Sequence, residues 1–210
     1  MANYGREHSI KSIIKLEERI GQCGRCATLV NCTHKPSLGR GDLVPQVLLV
    51  FESESACTRN IDWIIELRKL IKLHFNVDRV YHTYLVRCQP KACPSTQGID
   101  CSPTNRLLDR NNICLLTDQL CAGIPIKPTD EEILNCLTYL LEEINALQPG
   151  CVMLLGSRVS DFVGKSLGRF EKNMDMPAYS YEDITFLPTV AAEVLQDEEI
   201  RRLAELIKLY

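Results

Sequence analysis

Four cysteines, widely separated along the chain, carry the residue types most suited to chemistry. Cys23 and Cys26 form a C-x-x-C in Gln22-Cys23-Gly24-Arg25-Cys26. Cys88 follows in Leu85-Val86-Arg87-Cys88-Gln89-Pro90, and Cys136 lies in Ile133-Leu134-Asn135-Cys136-Leu137. A C-x-x-C brings two thiolates within reach of one metal, and two distant cysteines complete a four-sulfur site if the chain folds back onto the pair. A zinc staple, an iron–sulfur centre and unrelated buried thiols all satisfy this spacing, because only the C-x-x-C is a tight motif. Cys93, Cys101, Cys114 and Cys121 crowd residues 91–128 at spacings that match no tight ligand motif. They are candidates for a second metal site, zinc or another cluster, against thiols that are reduced and idle or partly paired. Cys32, Cys57 and Cys151 read as structural.

The elements that must position these residues follow from periodicity. Residues 8–20 carry Ile10, Ile13, Ile14 and Ile20 near helical spacing and deliver the C-x-x-C after Gly21. Residues 46–51 are a short continuous apolar run, the pattern of a strand buried on both faces. They lead into the polar turn Glu52-Ser53-Glu54-Ser55, and in open α/β sheets ligands bind beyond such strand ends. A helix is expected over 60–74, and a strand over 79–86 that delivers Cys88. The clearest helix is 130–147: Thr129 and Glu132 make a capping box, and Ile133, Cys136, Leu137, Leu140, Leu141, Ile144 and Leu147 form one stripe, so Cys136 points inward. Residues 151–156 read as another buried strand, 158–167 as a short helix and 183–187 as a fourth strand. A final helix opens on Asp197, Glu198 and Glu199 and closes on Lys208. Strands alternating with helices predict a three-layer α/β domain. Residues 91–128, rich in Pro, Gly, Asn and Ser, read as an insertion.

Composition bounds the function. At 210 residues the chain reads as a single domain, 1–210, with the Cys-rich insertion at about 91–128. No run is long enough to span a membrane and the N-terminus lacks a signal-peptide core, so a cytoplasmic location is expected. Eleven cysteines in a reducing compartment point to metal ligation before disulfides. The net charge of −3 excludes a global nucleic-acid signature, but residues 59–127 carry 10 Lys/Arg against 6 Asp/Glu, a local balance that could meet phosphates.

The order of features resembles the family 4 uracil-DNA glycosylases, the iron–sulfur branch of the uracil-DNA glycosylase superfamily. The resemblance rests on several stretches: Cys23-Gly24-Arg25-Cys26 with Leu38-Gly39-Arg40-Gly41-Asp42; the strand Val47 to Phe51; and Val80-Tyr81 through Arg87-Cys88-Gln89-Pro90. Further on, Cys136 with Leu140 and Ile144, then Pro149, Leu155-Gly156 and Leu187-Pro188-Thr189 continue it. It implies an α/β/α sandwich around a central, mostly parallel sheet of about four strands. It also implies a [4Fe-4S] cluster held by Cys23, Cys26, Cys88 and Cys136.

The active-site motifs depart from that pattern. After the first strand the family carries a Gly-Glu-(Ala/Gly)-Pro-Gly turn that wraps the base; here it is Phe51-Glu52-Ser53-Glu54-Ser55, with only Glu52 kept. Ala56-Cys57-Thr58-Arg59 replaces the segment that supplies a stacking phenylalanine. The base-reading asparagine aligns with Tyr84, whose phenol lacks the paired donor and acceptor of an amide. The His-Pro-Ser motif becomes Ala191-Ala192-Glu193. Glu52, Tyr84 and Glu193 are therefore the catalytic candidates, with Glu54 and His82 close to the same strand ends. Three functions remain in play. One is a DNA-associated iron–sulfur protein without ordinary uracil excision, and another is a DNA repair glycosylase with a rebuilt pocket. The third is a redox or interaction module that meets a protein partner through the insertion. None involves a membrane.

Overall fold

The computed structural model describes residues 2–26, 36–92, 113, 118–119, 124–170 and 178–207. Cys32, Cys93, Cys101, Cys114, Cys121 and Lys208 lie outside them, and so does the second metal site expected in the insertion. The elements run α1 (Ala2–Gly21), β1 (Arg40–Gly41), β2 (Val47–Phe51), α2 (Ala56–Arg59), α3 (Ile61–Phe75), β3 (Val80–Tyr84), β4 (Lys91–Ala92) and β5 (Ile124–Pro125). They continue α4 (Asp130–Leu147), β6 (Cys151–Leu155), α5 (Ser157–Ser166), β7 (Tyr179–Tyr181), β8 (Ile184–Thr189), a 3-10 turn (Ala192–Val194) and α6 (Asp197–Ile207).

The chain forms a mixed six-stranded sheet in the order β1-β3-β2-β6-β8-β7. Its four central strands are parallel, and the two short outer strands pair antiparallel. Every residue of β2, β3 and β6 is buried; β2 and β6 accordingly read as unbroken apolar runs rather than alternating ones, whereas β3 buries His82 and Thr83 among its apolar residues. Alternate residues serve two cores. Leu48, Val50, Tyr81, Val152 and Leu154 pack against α1, α4 and α5. Val47, Leu49, Val80, Tyr84 and Met153 pack against α3 and α6. The result is the expected three-layer α/β/α sandwich, with two edge strands added to its parallel core.

Local chemistry sets the helix ends. The Thr129 hydroxyl accepts from the Glu132 N–H at 3.2 Å while the Glu132 carboxylate accepts from the Thr129 N–H at 2.8 Å. α4 ends where Gln148 turns left-handed, before Pro149. Its buried stripe of Ile133, Leu137, Leu140, Ile144 and Leu147 faces the sheet, and each fully buried aliphatic side chain contributes about 1.5–3 kcal/mol. In α1 the buried face is Ile13, Leu16 and Ile20, whereas Ile14 faces solvent. The helix expected over 60–74 is α3, and a separate short helix, α2, precedes it. Asn60 caps α3 with its side-chain oxygen on the Asp62 and Trp63 amides, and Ser55 caps the short α2 before it. β4 and β5 pair antiparallel, which sets Ala92 beside Ile124. No described helix is long and apolar enough to cross a membrane.

Candidate functional site

All four cysteines singled out by type and spacing line one cavity. Cys23, Cys26, Cys88 and Cys136 share it with Ile20, Arg25, Val86, Arg87, Asn135 and Tyr139. Three parts of the chain meet there: the arm after α1, the bend after β3, and one turn of α4. The arm is latched to α4 by Arg25, whose guanidinium donates to the Thr138 hydroxyl at 2.7 Å and to the Asn135 carbonyl at 3.1 Å. The same guanidinium lies 4.3 Å above the Tyr139 ring, a cation–π contact worth about 0.5–1 kcal/mol at an exposed position. Arg19 adds an ion pair to Glu142 on the same helix.

Cys136 is buried, as its place in the stripe requires, and its sulfur accepts the Arg87 backbone N–H at 3.3 Å. Burial pushes its thiol up, while that N–H and the Arg87 charge pull it back down. Burial also raises Cys26, opposed by a hydrogen bond with Asn135. Among the described residues no three His, Cys, Asp or Glu converge as ligands of a single metal ion. The four cysteines share the lining of one cavity, drawn from three segments of the chain.

Beneath the cavity sits a polar network that sequence reasoning missed. Arg87, 2% exposed, pairs through Nη2 with Glu143 of α4. Glu143 also accepts from the Tyr81 hydroxyl at 2.8 Å and the Thr83 hydroxyl at 2.5 Å. Gly39 closes the network from the other side. A Cβ there would lie 2.3 Å from the Tyr81 hydroxyl and 2.5 Å from the Glu143 carboxylate, so only glycine fits. The signal was present in Gly39, Tyr81 and Arg87, but nothing near them in sequence points to Glu143.

A second site opens at the carboxyl ends of the parallel strands. After β2 the chain crosses to β3 on one side and later to β6 on the other, so β2 and β6 flank the topological switch point where open α/β sheets bind ligands. Phe51 to Ala56, Thr58, Leu155 to Arg158 and Ala191 to Glu193 line the cleft there, with Gln89 and residues 125–128 along one wall. Gly156 makes the turn from β6 into α5 with φ +111°, a conformation L side chains rarely adopt. At the floor Arg158 reaches Glu52 at 2.5 Å, Asp130 at 2.6 Å and the Pro128 carbonyl at 2.8 Å.

The predicted residues divide between cleft and core. Glu52, Glu54 and Glu193 line the cleft; Glu193 is exposed in the 3-10 turn, and Glu54 lies 3.9 Å from Arg59. Tyr84 is buried in the sheet in hydrogen-bond contact with Thr58, and burial raises its phenol. His82 is also buried, with its Nδ1 2.8 Å from Arg68. Burial, then Arg68 and Arg40, lower it to about 3. Cys57 lies half-buried in α2, and Cys151 is buried in β6, where desolvation raises its thiol to about 12.

Two cleft residues went unread in the sequence. Arg158 holds the Glu52 carboxylate. Gln89 is buried, and its amide nitrogen donates to the Pro90 and Ile126 carbonyls while its Oε1 has no partner. Among the described residues that line the cleft, none is a histidine or an asparagine. The arrangement offers carboxylates, one guanidinium already engaged, the Lys127 ammonium, one amide and several hydroxyls, set on backbone turns. Among profiles of known protein families, the one described as Uracil DNA glycosylase superfamily matches residues 59–193. No curated protein matches the chain.

Proposed function

The chain belongs to the uracil DNA glycosylase superfamily, and from that membership we propose an iron–sulfur protein that engages DNA and does not excise uracil. The observation that carries the loss of excision is the composition of the cleft. Its floor is the Glu52–Arg158 ion pair, and Ala191-Ala192-Glu193 forms its far rim. Uracil excision needs an extruded base read at its edge by hydrogen bonds and held by stacking. Tyr84, which stands where the reading amide belongs, is turned into the core. The carboxylates of Glu54 and Glu193 also disfavour a negative leaving group nearby.

Cys23, Cys26, Cys88 and Cys136 would hold a [4Fe-4S] cluster. The donor chemistry supports this: four cysteines line one largely apolar cavity, with an N–H already directed at Cys136. Four cysteines on one cavity match the donor count of a polynuclear centre, which takes one thiolate on each iron. When bound, the cluster supplies a clamp between the α1 arm, the β3 end and α4. DNA engagement is supported by superfamily membership and by the basic balance of residues 59–127.

A second reading is favoured by one atom. The unpartnered Oε1 of buried Gln89 is an acceptor beside the cleft, as a pocket rebuilt for a different base with an N–H donor would use. The test is base release from single-stranded DNA by anaerobically purified protein with its iron counted. The expected result is no uracil release together with salt-sensitive DNA binding. Uracil release refutes the proposal, and release of another base selects the second reading. Four irons per chain and no zinc would leave Cys93, Cys101, Cys114 and Cys121 without a metal of their own.

A further inference from the structure

We propose that Arg87 is the built-in counter-charge of the four-cysteine centre, a positioning residue that donates to the centre's sulfur atoms and raises its reduction potential. The inference rests on the reading that the four thiolates hold an iron–sulfur cluster. It concerns a residue that is not itself a ligand.

Three observations meet at this side chain. Arg87 heads the largest fully buried side chains of the protein and lines the cysteine cavity. Only one edge of its guanidinium is used: Nη2 pairs with Glu143, while Nε and Nη1 are buried without a partner. Its backbone N–H already donates to Cys136, and the next residue is Cys88. Leaving a buried donor unmet costs about 1–3 kcal/mol, more when it is charged. Rotation away is blocked, because Glu143 is itself fixed by Tyr81 and Thr83 from neighbouring positions of β3. The guanidinium is thus held with unspent donors on a residue that lines the cavity and whose backbone already contacts Cys136.

The chemistry of the centre supplies what those donors lack. Four thiolates on a [4Fe-4S]2+ core carry a net charge of −2, and their sulfurs accept hydrogen bonds. Net charge, hydrogen bonds to sulfur and solvent exposure set such potentials. One-electron reduction, with dithionite as the reductant, places one electron on iron. The charge becomes −3, no bond breaks and no proton moves. A fixed positive charge favours the more negative state, so it raises the potential. Glu143 offsets part of that charge from behind.

The test uses whole protein purified anaerobically, with iron and sulfide counted, and film voltammetry of the wild type, Arg87→Gln, Arg87→Lys and Glu143→Gln. Arg87→Gln is expected to shift the reduced-to-oxidised ratio at least tenfold toward oxidised, a drop of about 59 mV for a one-electron couple. Glu143→Gln is expected to move it the opposite way, and Arg87→Lys to fall between wild type and Arg87→Gln. Resonance Raman spectra of the same samples read the N–H to sulfur contacts without electron transfer; the Fe–S bands should shift in Arg87→Gln. Unmoved potential and bands at full iron content overturn the proposal. So do shifts of the same sign in Arg87→Gln and Glu143→Gln, which would report general disturbance of the site. Wild-type protein without iron and sulfide would instead sink the reading of the four cysteines, and the role of Arg87 with it. If Arg87→Gln fails to fold, unmoved potentials in both other variants suffice to overturn it.

Discussion

Acidification from pH 7 to pH 5 is expected to weaken the fold through one buried imidazole. His82 sits in β3 beneath Phe51 and Tyr84, with ring centroids 5.9 and 6.0 Å away. Its Nδ1 faces the Arg68 guanidinium of α3, and Arg40 of β1 is the other nearby cation. Protonating the ring would strand a charge in the core beside two like charges, and its value in the folded protein falls to about 3 from an ordinary 6.5. A depressed value means that the unfolded chain binds a proton the folded chain refuses, between roughly pH 6.5 and pH 3. His82 therefore contributes its full stability above pH 6.5 and loses it as the pH falls. Each pH unit in that window is worth about 1.4 kcal/mol, so pH 5 removes about 2 kcal/mol. Urea unfolding of the wild type and His82→Gln at matched iron content, at pH 7, 6 and 5, reads the effect directly. The difference between the two proteins should shrink by about 2 kcal/mol from pH 7 to pH 5. Parallel curves for the two proteins would refute the reasoning.

Three further outcomes follow from the geometry. Glu143→Ala leaves Arg87 buried without its carboxylate and is expected to cost about 3–5 kcal/mol, a fall in Tm of roughly 10 °C. Glu142→Ala, which removes an exposed pair from the adjacent position, is expected to cost under about 1 kcal/mol; thermal unfolding separates the two. Gly41→Ala, at φ +141° with a new Cβ 2.4 Å from the Val80 carbonyl, is expected to lose about 2–4 kcal/mol and to loosen the β1 edge in hydrogen exchange. Cys136→Ser should yield protein without its full iron complement. Cys57→Ser, whose thiol is outside the cavity, should keep it; iron and sulfide analysis decides.

Much of the scaffold was legible because β2 and β6, buried on both faces, carry only apolar residues and cysteine, although β3 buries His82 and Thr83. β2 and β6 announce themselves as Val47 to Phe51 and Cys151 to Leu155, and α4 by Thr129, Glu132 and its stripe. The edge strands were not. β1 is two exposed residues and β7 is three, of which only Tyr179 is buried, and their structure comes from pairing with β3 and β8 rather than from their own composition. α2 follows directly on the polar turn at 52–55 and was assigned no element from the sequence, although Ser55 and Asn60 are both capping residues. At the sites, spacing indicated which cysteines to watch but not that they meet. The joints that bring them together are long-range: Arg25 to Thr138 spans 113 residues, Arg158 to Glu52 spans 106 and Arg87 to Glu143 spans 56. Such partners carry no local pattern. The orphaned atoms of Arg87 and Gln89 are visible only once the surrounding groups have been paired off.

The two sites draw on the chain unequally, and that orders their appearance during synthesis. Cys23, Cys26, Cys88 and Cys136, with Arg87 and Glu143, all lie within the first 147 residues, which end with α4. The cleft also needs the turn after β6 and the one after β8, up to Glu193. A growing polypeptide therefore exposes the complete sulfur set while β6 and β8 are still unmade and one flank of β2 is open. The cavity can gather its three chain segments around α4 first, and the later strands then add to a half-sheet that is already anchored. The cleft is completed after the cysteine cavity, so a chain cut short after α4 would keep all four of these cysteines and lack the cleft.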